Sequence, residues 1–313
     1  MSRLGWLTKT CLAVGFCAVT AILSHGQTFA TLVSFNGADG SGPFSSLVQG
    51  TDGNLYGTTN TGGRTACNSP YGCGTVFKVS PAGTLTMLYK FCALANCADG
   101  SFPYAGLVLG TDQNFYGTTS AGGTHSAGTI FKITARGALT TIYSFCAQAN
   151  CSDGSSPAAA MVQATDGNFY GVTGDGGTST SCTGGCGTVF KITATGKLTT
   201  LHSFDAADGY HPSSLVQGSD GDLYGTTYGT PYSSCQSTGC GTVFKMTSEG
   251  ALTTLHTFNF VDGASPFGPL VESPEGSFSG TTYDGGIVFF EGCSEGCGTV
   301  FKITSAGCAD HPA

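Results

Sequence analysis

Residues 47–83 read LVQGTDGNLYGTTNTGGRTACNSPYGCGTVFKVSPAG, and this alternation of short apolar runs with glycine-rich punctuation predicts strands, not helices. Three are expected, over 47–49, 55–59 and 75–80. An Asp-Gly turn separates the first two, and a long loop rich in glycine and cysteine separates the last two.

The pattern recurs along the chain. A further strand ending in Phe precedes each copy, at Phe35, Phe91, Phe145, Phe204 and Phe258. An Asp-Gly follows, at Asp39, Asp99, Asp153, Asp208 and Asp262, and leads through a proline to Leu47, Leu107, Met161, Leu215 and Leu270. YGTT or a relative comes next, at Tyr56, Tyr116, Tyr170 and Tyr224, weakening to SGTT at Ser279. GTVFK or GTIFK begins at Gly74, Gly128, Gly187, Gly241 and Gly298. Each landmark occurs five times, at a period of roughly 54–60 residues with four short strands per unit. The expectation is an all-β, five-bladed β-propeller with four antiparallel strands per blade. The chain opens with the Phe-ending strand and stops after GTVFK. Residues 31–35 are therefore expected to complete the last blade beside 299–304, closing the ring over an edge that would otherwise pair with other chains.

Within a blade, SLVQ-type strands are expected innermost, then YGTT, then GTVFK, with the Phe-ending strand outermost. Gly57, Gly117, Gly171, Gly225 and Gly280 are read as sites of close backbone approach between blades. Lys78, Lys132, Lys191, Lys245 and Lys302 are read as snorkelling at the periphery, with a positively charged binding ring as the alternative.

Together, YGTT, the paired glycines and GTVFK resemble the bacterial Gloeo/Verruco (GloVer) tandem-repeat family over residues 28–307. That resemblance implies an exported repeat protein of propeller-like fold. It brings no catalytic residue with it.

Residues 1–26 carry a basic start (Arg3, Lys9), an apolar run over 11–23 and small residues before Gln27, the parts of a secretory signal peptide. The run is about 13 residues, short for a membrane span. The expected organisation is a signal peptide over 1–26, the propeller over 27–307 and a tail over 308–313, with the mature chain secreted or periplasmic. Without Arg3 and Lys9, nineteen acidic residues face nine basic ones, a net charge of −10. That disfavours nucleic acid and anionic membranes as partners.

Thirteen cysteines follow the signal peptide, and twelve fall into local pairs: Cys67 with Cys73, Cys92 with Cys97, Cys146 with Cys151, Cys182 with Cys186, Cys235 with Cys240, and Cys293 with Cys297. Disulfides are favoured over zinc, since histidine is scarce and an exported chain meets an oxidising compartment. Cys308 is left over. All the stapled loops are expected at one end of the propeller, and variable loops on a rigid scaffold are where binding sites usually lie.

That end is also expected to hold the five Asp-Gly aspartates with Tyr104, Tyr210, His211, Tyr228 and Tyr232, a set suited to sugars, whose C–H faces stack on rings while hydroxyls donate to carboxylates. Turn chemistry is the competing reading for Asp39, Asp99, Asp153, Asp208 and Asp262. His202 and His256 read as strand residues, and His125 and His211 as loop residues. No nucleophile elbow, HExxH or phosphate loop is present, so no catalytic residue, cofactor or metal is expected. The function expected is a secreted, monomeric, non-enzymatic scaffold recognising a glycan or an extracellular protein. The alternatives are a polysaccharide hydrolase or lyase using acids such as Asp175, Asp205 or Asp284, and a structural envelope protein.

Overall fold

A computed structural model describes residues 29–64, 70–157, 159–229, 240–286 and 296–305. Contacts divide the chain after Thr31, and the account below concerns the unit from Leu32 onward. Four antiparallel strands in simple meander order build each of the first four blades. Blade 1 holds β1 (Val48–Gln49), β2 (Leu55–Thr59), β3 (Thr75–Val79) and β4 (Leu85–Lys90). Blade 2 holds β5 (Val108–Leu109), β6 (Phe115–Thr119), β7 (Thr129–Ile133) and β8 (Leu139–Ser144). Blade 3 holds β9 (Val162–Gln163), β10 (Phe169–Thr173), β11 (Thr188–Ile192) and β12 (Leu198–Ser203), and blade 4 holds β13 (Pro212–Gln217), β14 (Leu223–Thr227), β15 (Thr242–Met246) and β16 (Leu252–Thr257).

Blade 5 differs. Its first strand is split into β17 (Ala264–Pro266) and β18 (Val271–Glu272), which pair with opposite ends of β19 (Ser277–Asp284), while β20 (Val300–Thr304) lies on the other side. Twenty strands are present among the described residues, but residues 31–35 are not one of them. Among the described residues no ladder joins that segment to β20. The segment still packs against blade 1 as an outer strand packs against the next blade. Phe35 meets Phe77 edge-on at 5.0 Å, as Phe91 meets Phe131 at 5.2 Å and Phe258 meets Phe301 at 5.1 Å.

The core lies between blades. At the first junction Tyr56, Val76 and Phe91 of blade 1 bury against Leu107, Phe115, Phe131 and Ile133 of blade 2. Fully burying each such side chain contributes roughly 1.5–3 kcal/mol. A tyrosine of one YGTT strand stacks on the phenylalanine of the next blade: Tyr56 on Phe115 at 4.0 Å, Tyr116 on Phe169 at 4.1 Å and Tyr224 on Phe278 at 4.0 Å. The YGTT glycines serve a contact different from the one expected. A Cβ on Gly117 would lie 2.6 Å from the Phe131 ring, its cross-strand partner in the same blade, so the glycine makes room for a ring and not for a neighbouring backbone.

The two outward faces of the series stay open. Val300 is 81% exposed although its counterparts Val76, Ile130, Val189 and Val243 are fully buried. On blade 1 the matching face borders a cavity of about 390 Å³ lined by Leu32, Phe35, Leu47, Leu55, Phe77 and Val79.

Candidate functional site on the loop end

The start of each blade's inner strand and the end of its second strand lie at the same edge, because the two run antiparallel. Isolated bridges tie the loops there: Ser41 to Thr61, Ser101 to Ala121 and Ser155 to Asp175. One backbone position organises this end. Gly42, Phe102, Ser156, His211 and Ser265 all adopt left-handed φ, between 50° and 66°, and each precedes a proline. A non-glycine residue there costs on the order of 1–3 kcal/mol and persists only when its surroundings hold it. They do. The N–H groups of Phe102, Ser156, His211 and Ser265 donate to the carbonyls of Cys73, Ala127, Cys186 and Cys240, each in the preceding blade.

The residue after each proline leads into the inner strand or, in blade 4, lies within it. It is Phe44 in blade 1, Tyr104 in blade 2, Ser213 in blade 4 and Phe267 in blade 5. Phe44 and Tyr104 stack nearly parallel, 5.3 Å apart with 12° between planes, yet stay 66% and 38% exposed. Phe267 is exposed too and meets the Tyr228 ring edge-on at 6.0 Å.

The Asp-Gly aspartates are engaged in folding their own loops. Asp99 and Asp153 are buried and accept the Tyr89 and Tyr143 hydroxyls at 2.8 and 2.7 Å, together with N–H groups of Ala93, Leu94, Ala147 and Gln148. Burial, then the neighbouring carboxylate, pushes both tyrosine hydroxyls well above the usual phenol range, keeping them neutral donors. On the outer strands of blades 3 and 4 histidine replaces the tyrosine: His202 Nε2 lies 2.7 Å from Asp208 and His256 Nε2 lies 3.0 Å from Asp262. Asp39 accepts from the Asn36 N–H at 2.8 Å.

His211 and Asp175 are brought together across the junction of blades 3 and 4, with Nδ1 3.5 Å from Oδ1 and side chains 42% and 35% exposed. Tyr210 beside them is mostly buried, and its hydroxyl is pushed up to about 12 by burial. Tyr232 lies outside the described residues. Disulfides join Cys92 to Cys97, Cys146 to Cys151 and Cys182 to Cys186, the chemistry of an oxidising compartment. Cys73, Cys240 and Cys297 are disulfide-bonded as well, and their expected partners Cys67, Cys235 and Cys293 lie outside the described residues, as does Cys308. Among the described residues no cluster of three or more metal-ligating side chains forms, and no helix is long and apolar enough to cross a membrane.

The opposite end carries a polar clasp that the sequence reading missed. Asp166 accepts from the Asn168 N–H, the Tyr170 hydroxyl and Lys191 Nζ at 2.9, 2.9 and 2.7 Å, and Asp220 accepts from Tyr224 and Lys245. Lys191 and Lys245 therefore do not snorkel at the periphery. They bind the inner turn of their own blade and lie over its tyrosine ring.

A family model described as the Gloeobacter/Verrucomicrobia repeat matches residues 13–183 and 146–310. The chain belongs to this family. No curated protein matches the repeat protein. Among solved structures, it is similar to a catalytically inactive histidine-to-alanine variant of virginiamycin B lyase from Staphylococcus aureus, bound to quinupristin, at TM-score 0.53 and 15% identity over 84% of this chain and 67% of that one. It is also similar to a streptogramin B lyase (TM-score 0.49, 18% identity, 75% and 61% covered) and to a gluconolactonase from Xanthomonas campestris (0.45, 17%, 75% and 67%). The repeat protein thus spans about two thirds of the length of the first lyase, and at this identity the likeness is one of fold.

Proposed function

We propose that this repeat protein is a secreted, non-enzymatic binding scaffold whose loop end recognises carbohydrate. The observation that carries this is the Phe44–Tyr104 pair: two rings from adjacent blades, stacked on each other and left in water. Aromatic faces exposed on a rigid support suit the C–H faces of sugar rings. The disulfides fit export, and the segment over 1–26 fits a cleaved signal peptide. The test is titration of immobilised glycans with purified protein. Replacing both Phe44 and Tyr104 by Ala is expected to lower affinity about fivefold or more, the loss of roughly 0.5–1.5 kcal/mol per ring. Unchanged glycan binding by that double variant would refute the reading.

We propose in addition that the ring closes, with residues 32–35 serving blade 5 as its outermost strand. Phe35 already takes the outer-strand position against Phe77. Val300 on one open face and Leu47 on the other are the only members of their repeat positions left substantially exposed among the described residues. Each face supplies what the other lacks.

A further inference from the structure

We infer that Asp175 and His211 form a polar subsite of the loop end that takes two adjacent hydroxyls of a neutral sugar; the inference rests on the carbohydrate reading above. Its basis is a contrast among side chains of the same types. Asp99, Asp153, Asp208, Asp262, His202 and His256 are all engaged in short hydrogen bonds between an outer strand and the loop that follows it. Among the described residues the Asp175 and His211 side chains have only each other as polar partners, at 3.5 Å, a distance too long for a good hydrogen bond. Their acceptor and donor capacity is left for a third party.

The backbone beneath them is fixed. His211 N–H donates to Cys186 and its carbonyl accepts from Tyr228, while Asp175 exchanges both backbone bonds with Ser155. A site held this way needs little ordering when a ligand arrives. Two further features shape it. Gly174 stands where other blades have Asn60, Ser120, Tyr228 and Tyr283, and a Cβ there would lie 3.7 Å from His211 Nδ1, so the missing side chain leaves a dip beside the ring. The glycine is not needed for a left-handed turn, since its φ lies outside that region. The Tyr210 ring lies 5.1 Å from the imidazole and supports it edge-on, with its own hydroxyl buried. The pair therefore offers an exposed carboxylate and an exposed imidazole. Vicinal hydroxyls, each able to donate and accept, match that set. A uronate does not, because its carboxylate would meet Asp175 within a protein of strong net negative charge.

The experiment is calorimetric titration of the full-length secreted protein with mannohexaose, cellohexaose, xylohexaose and hexagalacturonate. One or more neutral hexamers are expected to bind and the galacturonate to bind at least tenfold more weakly. Asp175→Asn and His211→Gly are each expected to lower affinity for the neutral sugar at least fivefold. Glycine at 211 retains the left-handed backbone, and an unchanged melting temperature checks that the fold is intact. Gly174→Leu, which fills the dip, is expected to do the same. If the Phe44/Tyr104 double variant loses binding while these three variants retain it, the subsite is wrong and the aromatic surface stands. Preference for galacturonate would overturn the subsite, and failure of all three neutral hexamers to bind would overturn both readings.

Discussion

At the residue scale, the repeated aspartates show how one sequence position divides into several physical tasks. Asp before Gly is legible as turn chemistry. What holds the carboxylate is less so, because its partner sits on the outer strand and changes with the loop. Tyr89 and Tyr143 reach across the longer, cystine-stapled loops, ten residues away, whereas His202 and His256 reach across shorter ones, six residues away. Asp99→Ala is accordingly expected to cost roughly 2–4 kcal/mol, since it strands a half-buried phenol and two N–H groups around a buried site. A chemical-denaturation midpoint measures it, and a loss below about 0.5 kcal/mol would contradict the assignment. Acid behaviour follows from the clasp at the opposite end. Burial raises the Asp166 carboxyl, but hydrogen bonds from Lys191, Asn168 and Tyr170 outweigh it and hold the group well below the usual carboxylate range. A depressed folded-state pKa contributes stability that is present above the unfolded value near 3.8 and is lost as pH falls below it. Asp166→Asn is therefore expected to flatten the fall in melting temperature below about pH 4. An acid limb identical to the wild type's would count against the clasp. The Asp175–His211 pair was the least legible feature, for its members come from different blades and no local spacing links them.

Strand identity at the element scale was readable because each alternation recurs five times, and the observed β2 and β3 match the expected spans to within a residue. The split of the inner strand in blade 5 has a local cause. Gly268 and Pro269 interrupt it, one adding freedom and the other removing a donor, whereas β13 has no glycine, carries its one proline at its first residue, and stays whole. The roles of the glycines and lysines were misread because periodicity gives a residue's face but not its neighbour. Gly57 faces Leu47 and Phe77, with a Cβ falling 2.6 and 2.7 Å from them. Gly57→Ala should overpack the blade and cost about 1–3 kcal/mol. Its measure is the shift in a urea transition, and a neutral or stabilising result would mean that the rings move aside freely.

For the whole molecule, the repeat explains both the continuity of the blades and the weakness of one seam. Gln163 and Gln217 each reach back to accept an N–H from the inner turn of the preceding blade, at Thr111 and Thr165. The equivalent turn position in blade 5 is Pro274, which has no N–H to offer Gln49, and Ser279 replaces the stacking tyrosine. A closing seam would therefore be the least stable junction and the first to open, while still hiding Val300 and Leu47 from water. Amide hydrogen exchange of the mature protein, read over residues 31–35 and 300–304 by mass spectrometry, tests closure most directly. Slowed exchange in both segments, weaker than in β2 but well above that of an unstructured peptide, is the result a closed five-bladed ring predicts. Exchange of residues 31–35 at the unprotected rate would contradict it.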